Sequence, residues 1–140
     1  MTADRYDLKR FLDAQGGIYA QVTSELRRGR KQTHWMWFVF PQIKGLGHSA
    51  MAQKYAISSL DEARAYLLHP VLGERLKECT GIVTGLEGRT IQEIFGHPDF
   101  LKFHSSLTLF AKAAADHGVF DAALAKYFAS TMDRNTLDRL

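Results

Sequence analysis

Apolar side chains along this 140-residue chain recur at intervals of three and four, the repeat of a helix face. Only one short run, Trp37-Phe38-Val39-Phe40, competes as a strand. No second alternating run exists to pair with it, and an isolated strand is not stable. The sequence therefore implies an all-α fold, a compact single domain of about seven or eight short helices over residues 1–140.

Glycine, proline and capping residues set the boundaries. Leu8, Phe11, Leu12, Ile18, Tyr19, Val22 and Leu26 lie on a helical stripe that Gly16-Gly17 interrupts, so two short helices are expected, leaving through Arg27-Arg28-Gly29-Arg30. Thr33 is placed to cap a short helix that Pro41 ends. Residues 42–47, with Gly45 and Gly47, read as a loop, and Ser49 opens a helix to about Ile57. Ser59-Leu60-Asp61-Glu62 and Thr90-Ile91-Gln92-Glu93 both spell capping boxes. The first opens a helix to His69 and the second a short one ending at Gly96. Pro70 suits the first turn of a helix through Leu76 and Val83, and Pro98 that of a longer one through Phe110. Val119 to Phe128 form another, and the tail from Asp133 adds a last turn.

Nine Phe, five Tyr and two Trp give so short a chain large side chains to bury, which excludes a disordered segment. Cys79 is the one cysteine, consistent with a reducing compartment. Met1 to Arg10 are polar, and no uncharged apolar run approaches the roughly 20 residues that span a bilayer. A cytoplasmic protein without a membrane partner is expected.

Charge is distributed unevenly. No acid occurs between Glu25 and Asp61, a stretch holding Arg27, Arg28, Arg30, Lys31, Lys44 and Lys54. With a total of +3, the rest of the chain sums to −3, so an acidic scaffold carries one basic segment. That asymmetry points to a small anionic partner. Within the segment, Arg30 and Lys31 supply charge-assisted donors, while Trp35 and Trp37 offer faces on which a planar ring stacks. Thr33 as a cap would add a helix N-terminus to the same place. His34 is the candidate acid or base, and Gln42 and Tyr55 complete the expected ligand contacts. The plainer reading assigns the aromatics to the core and the cations to acids elsewhere in the fold.

Other chemistry finds little footing. Glu62 is a candidate catalytic acid, but it, like Glu93, already reads as the reciprocating acid of a capping box. Ser105-Ser106 beside His104 lack a nucleophile elbow. Six histidines contain no His-x-x-x-His pair, a lone cysteine gives no zinc site, and no phosphate loop or dinucleotide fingerprint occurs. Neither metal nor cofactor is expected.

Several strings are distinctive together: Gly29-Arg30-Lys31, His34-Trp35-Met36-Trp37-Phe38, Phe40-Pro41-Gln42, Gly45-Leu46-Gly47, His69-Pro70-Val71-Leu72-Gly73, Ile94-Phe95-Gly96 and Ser105-Ser106-Leu107-Thr108. On these the chain resembles a bacterial family known as domain of unknown function eighteen-ten, whose members sometimes carry the label calpastatin. The resemblance covers nearly the whole chain. It implies an all-α single domain and brings no activity with it. Relatives often place a proline shortly after the residues matching Ala14-Gln15, where this chain has Gly16-Gly17. Either choice breaks a helix.

Three functions compete. The first is binding of a nucleotide-like anion; its sharpest form, a hydrolase of ADP-ribose or nucleoside derivatives using His34 and Glu62, rests on a general likeness to small helical proteins of that kind. The second is a non-catalytic module docking an acidic protein. Nucleic-acid binding ranks last, because a net +3 is low and no reading module is visible.

Overall fold

A computed structural model describes residues 4–140, which form ten helices. Helices α1 (Lys9–Gly16) and α2 (Tyr19–Arg27) are separate, as the glycine pair requires. α2 ends in a Schellman motif: Gly29 N–H donates to the Leu26 carbonyl at 2.9 Å and Arg30 N–H to that of Glu25 at 3.1 Å. Gly29 takes φ of 73°, the left-handed conformation the motif needs.

Two single-turn helices follow, α3 (Met36–Val39) and α4 (Ala50–Lys54). Both stand where short helices were expected, as does the four-residue tail, and the described residues form ten helices where seven or eight were counted. Trp37–Phe40 is helical up to Val39, not a strand. The sole bridge among the described residues is parallel, Ile43 to Ile57. It ties the glycine loop to the approach of α5 (Leu60–Leu68). α4 stops at Lys54, short of Ile57, because Arg10 captures the Lys54 and Ala56 carbonyls at 2.9 and 2.8 Å and draws that segment out straight. Thr33 is not the cap of α3; its N-cap is Trp35, whose side chain makes no capping bond.

The two capping boxes fare differently. Thr90 and Glu93 form theirs at the start of α7 (Ile91–Phe95), each binding the other's backbone N–H. Ser59 caps α5, but the Glu62 carboxylate reaches past it to the Ser58 N–H and hydroxyl, both at 2.8 Å. α6 (Leu72–Gly85) begins two residues after Pro70, and its first N–H groups are met by His69 Nδ1, from Val71 at 3.1 Å and Leu72 at 3.2 Å. Nδ1 is therefore the unprotonated ring nitrogen.

α8 (Asp99–Ala113) is the centre of the fold and is buried almost all round. It packs against α3, α5, α7, α9 (Gly118–Phe128) and α10 (Arg134–Leu137). Its Phe103 stacks on Phe95 at 4.7 Å and meets Phe40 edge-on at 5.0 Å. Two turns further, Phe110 packs on Tyr66 and Phe120. Each such side chain contributes about 1.5–3 kcal/mol by leaving water. Ser105 and Thr108 of α8 hold the C-terminal segment through Asp133, at 3.1 and 2.9 Å.

Candidate functional site

The basic segment folds around an acid of its own chain. Glu25, on the last turn of α2, is fully buried and accepts five donors. Oε1 takes the N–H groups of Gln32 (2.7 Å) and Thr33 (3.0 Å) and the Trp35 indole N–H (3.0 Å). Oε2 takes the Thr33 hydroxyl (2.6 Å) and the Gln21 amide (2.9 Å). Burial alone would raise its pKa; the bonds from Thr33, Gln32 and Gln21 outweigh burial and lower it to about 2. The cluster of N–H donors expected to face an anionic ligand thus already has its anion. Thr33 gives its hydroxyl to Glu25, which is why it caps nothing.

The expected ligand residues separate accordingly. Trp35 is 1% exposed and belongs to the core. Lys31 is neutralised by Asp99 at 2.8 Å, donates to the Thr33 carbonyl at 2.6 Å and lies 5.0 Å from the Trp35 ring centre. Arg30 and His34 are exposed. Glu62 is 3% exposed, paired with Arg10 at 2.9 Å and bonded to Ser58. Its carboxylate holds the chain in shape.

Trp37, Gln42 and Tyr55 do come together. They border a recess of about 20 Å³ whose remaining walls are Ile43, Gly45, Gly47, Ala52 and Ala56. That volume admits about one water-sized group. Tyr55 is fixed from behind by Phe11 and Phe38, at 5.7 and 5.3 Å. Trp37 is half-buried, and Lys102 of α8 places its ammonium 5.1 Å from the ring centre. The loop is shaped by its glycines. Gly45 has φ of 100°, and a Cβ there would stand 3.0 Å from Arg139 Nε. A Cβ on Gly47 would lie 2.7 Å from that of Ala52. None of the backbone N–H groups from Gly45 to Ser49 donates to another described residue.

Two functional-looking groups lie elsewhere. Cys79 is buried, and burial pushes its thiol up to about 12, so it is no nucleophile at neutral pH. Tyr19 bonds Glu78 beneath the Arg75 guanidinium, which sits 4.7 Å from the Tyr19 ring. Among the described residues, no group of three or more His, Cys, Asp or Glu side chains is placed to hold a metal ion. None of the described helices is long and apolar enough to cross a membrane.

Sequence reasoning missed Glu25. Its only signal is position, as the last acid before the acid-free stretch.

A helical domain centred on one buried helix, with a glycine-loop recess beside a half-buried tryptophan, is the class that fold and site define. The chain belongs to the family described as "Protein of unknown function (DUF1810)", whose profile matches residues 5–140. It is similar to a crystal structure of the conserved hypothetical protein Rv1873 from Mycobacterium tuberculosis, at 57% identity over 98% of each chain with a TM-score of 0.97. No curated protein matches the chain.

Proposed function

We propose that the chain binds a small anion bearing a planar ring, of the nucleotide kind, across the mouth of the Trp37–Gln42–Tyr55 recess. The observation that carries this reading is the meeting of those three side chains with a glycine loop. Free loop N–H groups suit a phosphate or carboxylate, and the face of Trp37 suits a ring. At about 20 Å³ the recess takes only a small polar group, so the ring lies outside on the indole.

Binding is proposed here, not hydrolysis. Neither His34 nor Glu62 borders the recess, and Glu62 is already committed to Arg10 and Ser58. Docking of an acidic protein is the second reading, favoured by the shallowness of the same recess.

Thermal shift with ADP-ribose, NAD and mononucleotides at millimolar concentration tests the reading. A ligand at about 100 times its Kd stabilises by about 2.7 kcal/mol, which is readily seen. The expected result is a shift that Trp37→Ala reduces. No shift with any of these ligands contradicts it.

A further inference from the structure

We infer that Arg28, Arg30 and Arg89 form a phosphoryl-binding site around the Gly29 turn, separate from the Trp37 recess. Gly29 carries an arginine on each side in sequence, and its missing side chain leaves room for a third. A Cβ on Gly29 would meet Arg89 Nε, Cγ and Cδ at 3.2, 3.4 and 3.5 Å, so the Arg89 side chain lies against the turn. All three arginines are exposed, and none makes an ion pair or a side-chain hydrogen bond with another described residue.

The neighbouring acids are taken. Glu25 is buried under five donors, and Glu93 is held in its capping box by the Thr90 N–H at 2.8 Å. Asp99 serves Lys31 and Lys102. Glu87, two residues from Arg89, forms no ion pair with it. The fold thus neutralises Lys31 and forms no ion pair to the three arginines, of which Arg89 has Glu93 near enough to help hold that carboxyl below its ordinary value. The C-terminal dipole of α2 accounts for a cation at Arg28, but not for Arg89, which arrives from the far end of the α6–α7 connection. Gathering like charges at one turn is unfavourable until an anion arrives. Guanidinium groups present paired N–H donors that match a phosphoryl group two oxygens at a time. A phosphoryl dianion, free or as part of a nucleotide, is the ligand that three such forks fit.

Calorimetric titration of the full chain with inorganic pyrophosphate, at about 50 mM salt, tests this. Saturable one-to-one binding is expected, weakened at least tenfold in the R28Q/R30Q/R89Q variant and unchanged in W37A. The corresponding triple lysine variant keeps the charge and loses the fork, so it should bind several-fold more weakly than the natural chain. An AMP titration that responds to the arginine variant as pyrophosphate does assigns recognition to the phosphoryl group alone. Absence of saturable binding overturns the inference, as does equal binding by the glutamine or the lysine variant. Loss of binding in W37A, with the glutamine variant unaffected, also overturns it and returns the phosphoryl group to the recess.

Discussion

The Glu25 carboxylate accepts the indole N–H of Trp35 at 3.0 Å, with both side chains closed off from water. This contact joins the end of α2 to the start of α3 and fixes the path of the eight intervening residues that carry Arg30, Lys31 and His34. It also separates the two tryptophans. Trp35 faces inward to Glu25, and Trp37, two residues on, is presented at the recess.

Removing the Glu25 charge should therefore unsettle the whole segment. Glu25→Ala strands up to five donors and is expected to cost about 3–5 kcal/mol, as for other broken buried charge networks. Glu25→Gln keeps an acceptor and should cost less, about 1–3 kcal/mol. Urea unfolding of the two variants beside the natural chain gives both numbers.

The same group sets an acid limit. Its carboxyl is held near 2 in the fold against an ordinary value of 4.5, so the unfolded chain binds the extra proton as pH falls. The stability it contributes is fully present above about pH 5 and is lost as pH drops through 4.5 toward 2, a total of about 3 kcal/mol. Urea midpoints measured from pH 6 to pH 2.5 should show this fall. In Glu25→Gln that part of the slope should be missing.

How much of this was legible beforehand depends on the range of the interaction. The break at Gly16-Gly17, the Thr90–Glu93 box and the helix at Pro98 are set by residues within four positions of one another, and each stands where its local chemistry puts it. Thr33 misled because a threonine before an apolar run reads as a cap, while its actual partner lies eight residues back on another helix. Glu62 reaching Arg10 across 52 positions is the same kind of event. Of the site, Trp37, Gln42 and Tyr55 were legible as residue types suited to a ligand; that they meet, and that Lys31 and Trp35 are consumed elsewhere, depends on packing against α8 and α2.

Arg10 is a hub whose loss should be severe. Its guanidinium holds the carbonyls of Tyr6, Lys54 and Ala56 together with the nearly buried Glu62. Arg10→Ala leaves that carboxylate without its cation and is expected to cost about 3–5 kcal/mol. Arg10→Ala combined with Glu62→Gln should recover part of the loss. A double-mutant cycle by thermal and urea unfolding checks the coupling.

Two glycines of α6 should respond oppositely to alanine. A Cβ on Gly73 would stand 2.0 Å from the Leu67 carbonyl oxygen, a backbone atom at the turn from α5, so Gly73→Ala is expected to cost about 3 kcal/mol or more. Gly81 has nothing within 4 Å of the same position and lies inside the helix. Gly81→Ala should stabilise by about 0.5–1 kcal/mol. Melting temperatures of the two variants should move in opposite directions.

The two tryptophans make a direct test of the proposed ligand site. In a ¹H–¹⁵N spectrum their indole N–H signals are distinct probes, one bonded to Glu25 in the core and the other beside the recess. Titration with ADP-ribose or a mononucleotide should move the Trp37 signal saturably and leave that of Trp35 in place. A titration to millimolar ligand in which the Trp37 signal stays fixed would contradict a ligand site at Trp37, Gln42 and Tyr55.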